Sequence, residues 1–70
     1  MSLSVTINGD RRELPAGATV ASVVASLRNV PDGRGVAVAL EGEVVPRAQW
    51  ADVRLREGAK VEVVVAVQGG

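Results

Sequence analysis

Cysteine and histidine are both absent from this chain of 70 residues. Without cysteine the chain can form no disulfide, hold no iron–sulfur cluster and offer no thiolate metal site. Without histidine it lacks the side chain that most often serves as a general base or as a nitrogen ligand of a metal. These absences argue against an independent enzyme and against a metal centre.

Aromatic residues and unbalanced charge are also scarce. Trp50 is the single aromatic residue, and eight Lys and Arg residues balance eight Asp and Glu residues. A nucleic-acid-binding surface needs a basic stripe or stacking aromatic rings, and the sequence has neither. No apolar run approaches the roughly 20 residues of a membrane span, and the first residues do not resemble a secretory signal. We therefore expect a soluble cytoplasmic protein that binds neither nucleic acid nor membrane.

Alternating apolar residues predict strands at residues 3–7, 36–40 and 60–67, because side chains of a strand point to opposite faces in turn. Asn8-Gly9 is typical of a two-residue hairpin turn, since both residues tolerate positive φ. The turn predicts that residues 11–14 return as a second strand.

One helix is predicted between the second and third strands. Val20, Val23, Val24 and Leu27 follow the spacing of one apolar helix face. Thr19 is the predicted N-cap, because its hydroxyl can accept a hydrogen bond from a free N–H of the first turn. Valine is a mediocre helix former, so this helix needs the sheet beneath it.

Short connections complete the predicted elements. Residues 29–35 contain one proline and two glycines and predict a loop. Residues 41–43 and 57–59 predict turns, and Val44-Val45 predicts a short fourth strand that ends at Pro46. Residues 47–52 have room for a single helical turn.

The order strand, strand, helix, strand, strand, strand predicts an α+β fold of the ubiquitin-like β-grasp type. In that fold a mixed sheet of four to five strands carries one helix on one face, and the first and last strands are parallel at its centre. We expect residues 1–67 to form this domain and residues 68–70 to form a flexible Gly-Gly tail.

Three segments resemble the ThiS family of sulfur carriers, and the resemblance extends from Val5 to Gly70. These segments are Leu14-Pro15-Ala16-Gly17-Ala18-Thr19-Val20, Val44-Val45-Pro46-Arg47-Ala48-Gln49-Trp50 and Val65-Ala66-Val67-Gln68-Gly69-Gly70. The second contains the Val-Pro-Arg-x-x-Trp pattern of the family. Two departures occur at turns: Glu41 replaces an expected asparagine, and Ala59-Lys60 replaces a frequent aspartate.

The resemblance implies a carrier that is not itself an enzyme and binds no cofactor. A ThiF-type, E1-like adenylyltransferase would activate the Gly70 carboxylate with ATP and Mg²⁺. A sulfur donor would convert it to a thiocarboxylate, and a ThiG-type thiazole synthase would accept the sulfur for the thiazole of thiamin. Gln68 and Gly69 would thread into the partner sites, where a side chain at Gly69 would narrow the fit.

A partner-docking surface is predicted beside the tail. The predicted inward set of the last strand is Val61, Val63, Val65 and Val67. The residues predicted to face outward, on the last strand and on the strand beside it, are Val64, Ala66, Ala37 and Ala39. Small exposed apolar patches often mark partner surfaces, although these residues also suit a flat sheet without a partner.

Two further questions stay open at the sequence level. Arg47 and Trp50 either contact a partner or pack locally, and we favour local packing. The tail chemistry equally suits a sulfur carrier of a molybdopterin or amino-acid pathway. A ubiquitin-like modifier would instead form an isopeptide bond through Gly70.

Overall fold

The structure, a computed structural model, describes residues 1–27 and 35–65. In chain order the elements are β1 (Ser2–Ile7), β2 (Asp10–Pro15), α1 (Val20–Ala25), β3 (Val36–Leu40), β4 (Glu43–Val44), a 3₁₀ turn (Arg47–Gln49) and β5 (Lys60–Val65). This order confirms the predicted α+β arrangement. Most of the predicted loop at 29–35, the predicted end of the last strand at 66–67 and the predicted tail at 68–70 lie outside the described residues.

The five strands form one mixed sheet in the order β2-β1-β5-β3-β4. β1 and β5 are parallel neighbours, and every other pair of neighbours is antiparallel. The predicted parallel pairing of the first and last strands inside the sheet is therefore confirmed. β5 consequently has a strand on each side.

The predicted hairpin turn at Asn8-Gly9 is confirmed. The two residues have φ of 53° and 85°, and a two-residue hairpin turn of type I′ requires positive φ at both of its central residues. The return strand β2 is one residue longer at each end than predicted, because Asp10 pairs with Ile7 and Pro15 pairs with Ser2. As an edge strand, β2 can tolerate Pro15, which has no N–H to donate.

The helix α1 begins at the predicted N-cap. The Ser22 N–H donates to Thr19 Oγ1 over 3.2 Å, and the Thr19 N–H donates to Ser22 Oγ over 2.8 Å, so the two residues cap each other. Val20, Val23 and Val24 are buried, as predicted. The helix ends at Ala25, so Leu27 follows it and is partly buried against the same core. So short a helix depends on its packing against the sheet.

The core between α1 and the sheet consists mainly of valine. Its buried members are Val5, Val20, Val23, Val24, Val38, Val45, Trp50, Leu55, Ala59, Val61 and Val63. The Trp50 indole is only 7% exposed, and its Nε1 donates to the Val45 carbonyl over 2.9 Å. The guanidinium carbon of Arg47 lies 5.8 Å from the centroid of the indole, within the range of a cation–π contact. Local packing of Trp50 is thus confirmed.

The longest helix of the described residues has six residues, and none in that part of the chain could cross a membrane.

Candidate functional site

The two faces of β5 differ in burial. Val61 and Val63 are buried in the core that includes α1, which confirms their predicted inward position. Val65 lies on this same face by alternation, as predicted, but its side chain is 42% exposed. Val67 lies outside the described residues. Val64 points the opposite way and is 64% exposed.

The exposed face carries an apolar surface that crosses three strands. Val64 lies directly opposite Ala37 of β3, and Ala39 of β3 lies directly opposite Val44 of β4. Two residues apart on β3, Ala37 and Ala39 share this face. We call Val64, Ala37, Ala39 and Val44 the apolar stripe. The structure thus brings together three of the four predicted docking residues, and Ala66 lies outside the described part of the chain.

Val44 is the member of the apolar stripe that sequence reasoning missed. Its side chain is 74% exposed, the largest exposure of any valine among the described residues. A strand of only two residues shows no alternation, so its sequence does not indicate toward which face of the sheet each side chain points. The available signal was the two-residue turn before it, because such a turn fixes Leu40 opposite Glu43 and therefore Ala39 opposite Val44.

Asn8 joins the end of β1 to β5 through its side chain. The backbone N–H groups of Thr6 and Asn8 donate to the carbonyls of Ala59 and Val61, each over 2.9 Å. Beyond these bonds, the Asn8 Oδ1 accepts from the Val63 N–H over 2.7 Å, and the Asn8 Nδ2 donates to the Val63 carbonyl over 3.0 Å. One side chain therefore satisfies both backbone groups of Val63.

Glu41 stands where the family resemblance leads us to expect asparagine, and it still adopts the geometry of a two-residue hairpin turn. Glu41 and Gly42 have φ of 52° and 85°, nearly the angles of the first hairpin turn. The Glu41 N–H donates to the Lys60 carbonyl over 2.9 Å, and Glu41 Oε2 accepts from the Lys60 N–H over 2.8 Å. Positive φ is unfavourable for glutamate, and these two bonds help to offset that cost. At the second departure, Ala59 is buried in the core.

We predict that Glu41→Ala lowers the free energy of unfolding by about 1 kcal/mol, because it removes the side-chain bond and keeps the positive φ. Glu41→Asn also removes that bond but supplies a residue that tolerates positive φ, so it should be less destabilising. Urea denaturation of the two variants measures the difference. If Glu41→Ala unfolds at the wild-type midpoint, the Lys60 bond does not stabilise the turn.

A cleft of 340 Å³ lies near the amino-terminal end of β5. Its lining residues are Leu40, Glu41, Glu43, Arg54, Arg56 and Ala59. Two carboxylates and two guanidinium groups balance around it, so it has no evident preference for an anion or a cation. It is also at the other end of β5 from Val65, the described residue nearest in sequence to Gly70. None of the four residues of the apolar stripe lines this cleft.

The strand order, the parallel β1–β5 pair and the single helix on one face define a β-grasp protein. The model of the ThiS family matches residues 5–70. The chain therefore belongs to the ThiS family, a family of small sulfur carriers of thiamine biosynthesis.

Two relatives show how far the likeness extends. The crystal structure of the thiamine biosynthesis protein ThiS of Geobacter metallireducens has a TM-score of 0.78 and 26% identity, over 97% of this chain and 100% of that chain. The thiazole synthase of Paramagnetospirillum magneticum is 35% identical over 68 residues, which are 97% of this chain. The chain spans only 20% of the length of that thiazole synthase.

Proposed function

We propose that this chain carries sulfur for the thiazole ring of thiamin and that the Gly70 carboxylate is the group that carries it. The observation that supports the proposal most directly is the family match, which extends from residue 5 through Gly70. The fold supports it as well, because β5 leads into residues 66–70 from the interior of the sheet. In this proposal the chain is a co-substrate of other enzymes and catalyses no step itself.

Activation is needed because a carboxylate is a poor electrophile. A carboxylate oxygen of Gly70 would attack the α-phosphorus of ATP, and pyrophosphate would leave. Sulfide from the sulfur donor would then attack the carbonyl carbon of the acyl-adenylate, and AMP would leave. The product is a thiocarboxylate, whose sulfur is ionised and nucleophilic near neutral pH. We assign ATP and Mg²⁺ to a ThiF-type adenylyltransferase, because the glycines of this chain do not have the spacing of a phosphate-binding loop.

A ThiG-type thiazole synthase is the proposed acceptor of the sulfur. The likeness to a segment of the Paramagnetospirillum magneticum thiazole synthase supports this partner, since a domain similar to this chain occurs there within a thiazole synthase. A molybdopterin or amino-acid pathway would use another acceptor, and no relative described above favours one.

The apolar stripe is our proposed docking surface for these partners. Three of its residues are exposed and Ala39 is half-buried, on the face of the sheet opposite the core, where the exposed Glu62 of β5 lies directly opposite Ala39. It also includes Val64, which is six residues before Gly70 in the sequence. A partner that covers the stripe would hold the domain while Gln68, Gly69 and Gly70 enter its active site.

Intact-protein mass spectrometry tests the proposed function. The chain is incubated with a ThiF-type adenylyltransferase, ATP, Mg²⁺ and a sulfide donor, and we expect one oxygen of the Gly70 carboxylate to be exchanged for sulfur. The matched controls omit ATP or use the chain without Gly70, and neither should gain sulfur. An isopeptide to another protein would support the modifier alternative instead. Absence of exchange with several such enzymes would contradict the carrier function.

A further inference from the structure

We infer that Asn8 is a positioning residue, which holds the Val63 backbone and so fixes the direction of β5 where it leads into residues 66–70. The inference rests on the proposed function, in which Gly70 must reach a partner's active site. Asn8 is not part of the apolar stripe and touches no reacting atom. Its effect would pass through β5 alone.

The register of β1 shows what the Asn8 side chain replaces. Ile7, the last residue of β1, lies opposite Val61, and the Asn8 N–H reaches the Val61 carbonyl. If β1 continued as a strand, its next hydrogen bonds would be to the backbone groups of Val63. The chain instead turns at Asn8, where φ is 53°, and leaves for β2. The Asn8 amide supplies one acceptor and one donor to Val63, which in a continued parallel strand would come from the carbonyl of one residue and the N–H of the residue two positions later.

The register of β5 against β3 shows why Val63 needs this partner. The Glu41 N–H donates to the Lys60 carbonyl, so Lys60 bonds toward β3. Backbone groups alternate in direction along a strand, so those of Val63 point toward β1. Val63 is opposite Val38 in a pair that exchanges no backbone hydrogen bonds with β3. Asn8 is consequently the partner of both its backbone groups.

The position of this contact gives it a functional consequence. Gly70 is seven positions after Val63, a reach of roughly 23 Å when extended. Beyond Val63 the described residues of β5, Val64 and Val65, pair with β3 alone, so Asn8 makes the last described contact on the β1 side. A change in the direction of β5 there would be amplified at the carboxylate. Loss of the Asn8 contact would spread Gly70 over a larger volume once the domain has docked. Its effective concentration in the partner's active site, and with it the rate of adenylation, would fall.

Three variants isolate this effect. Asn8→Gly removes both bonds to Val63 and keeps the positive φ of the turn, because glycine adopts it freely. Asn8→Asp is nearly isosteric and keeps the acceptor for the Val63 N–H but loses the donor to its carbonyl. Glu57→Ala is the matched control: it also removes a side-chain bond to the backbone, the 2.9 Å bond from the Ser4 N–H to Glu57 Oε1, but does so away from Val63.

Amide hydrogen exchange and steady-state kinetics are measured on the full chain. In Asn8→Gly we expect the Val63 amide to exchange about tenfold faster or more, while Glu57→Ala leaves it near the wild-type rate. With a ThiF-type adenylyltransferase, ATP and a sulfide donor, Asn8→Gly should lower kcat about fivefold, with KM for the carrier within about twofold of wild type. The kcat of Asn8→Asp should lie between those of wild type and Asn8→Gly, and the kcat of Glu57→Ala should equal that of wild type.

The outcomes separate this inference from the proposed function. If wild type forms no thiocarboxylate, the proposed function fails and the inference fails with it. If wild type is active and folded Asn8→Gly has the same kcat, the inference alone is wrong. A rise in KM at constant kcat would also overturn it, because Asn8 would then act on docking. An equal fall of kcat in Glu57→Ala would overturn it by showing a general effect of stability.

Discussion

Trp50→Ala is expected to lower the free energy of unfolding by about 3–5 kcal/mol, the range for truncating a buried large aromatic residue. A domain of 70 residues has a stability of only about 4–10 kcal/mol in total. The variant should therefore lose a large fraction of its stability and unfold at a much lower urea concentration than wild type. This is the largest stability effect that we expect from any single substitution in this chain.

The reason for so large an effect is that Trp50 has several roles in the core. It is the single aromatic residue of the chain, in a core otherwise made of valine, leucine and alanine. Its Nε1 donates to the Val45 carbonyl, and its own carbonyl accepts from the Ala21 N–H over 3.0 Å. Alanine keeps the backbone bond but leaves a cavity and an unpaired carbonyl, and both are destabilising.

Urea denaturation followed by far-ultraviolet circular dichroism measures this loss, since the variant has no tryptophan fluorescence to follow. Trp50→Phe is the matched control. It keeps a ring in the core but cannot donate to Val45, and it should lose about 1–3 kcal/mol. A Trp50→Ala midpoint equal to that of wild type would mean that the indole contributes little to the core.

Val64→Asp is expected to raise KM for adenylation on the order of tenfold or more, because it places a charge at the β5 end of the apolar stripe, the end nearest to Gly70 in the sequence. The stripe is our proposed docking surface, and an unpaired carboxylate there must be desolvated when a partner covers it. The fold should survive, because Val64 is 64% exposed and the aspartate would remain in water in the free protein. The measurement is the rate of thiocarboxylation at increasing carrier concentration.

Two controls distinguish docking from charge and from stability. Ser2→Asp adds the same charge at an exposed position of β1, away from the stripe, and should leave KM unchanged. Val64→Thr keeps the β-branched shape that suits a strand, removes apolar surface without adding charge, and should have a smaller effect than Val64→Asp. If folded Val64→Asp is adenylated as readily as Ser2→Asp, the stripe is not the docking surface.

Local patterns predicted the elements well because each depends on neighbours in the sequence. The Asn8-Gly9 turn needs only two residues that accept positive φ, and the helix face needs only its spacing. The bond between Asn8 and Val63, in contrast, joins residues 55 positions apart, and nothing in the local pattern points to it. The same limit applies to Glu41, whose side chain bonds Lys60 after an interval of 19 positions.

The same distinction applies to the candidate site: residues placed by local alternation were predicted, and a residue placed by the pairing of two strands was not. Val64 was predicted to be exposed from its alternation with buried valines, and the structure agrees. Val44 was not predicted, because its face follows from the pairing of β4 with β3 and not from its own segment. The exposure of Val65 was also missed. Alternation assigns a residue to a face, but the length of the element packed on that face decides whether the residue is covered.

The place of β5 in the sheet also governs how this protein can be made. Without β5, the order β2-β1-β5-β3-β4 separates into two hairpins that share no strand, and an isolated hairpin has marginal stability in water. During synthesis β1 therefore cannot pair with β5 until more than 50 further residues have been made, and the five-stranded sheet cannot form before that. The strand that completes the fold is also the one that leads to Gly70.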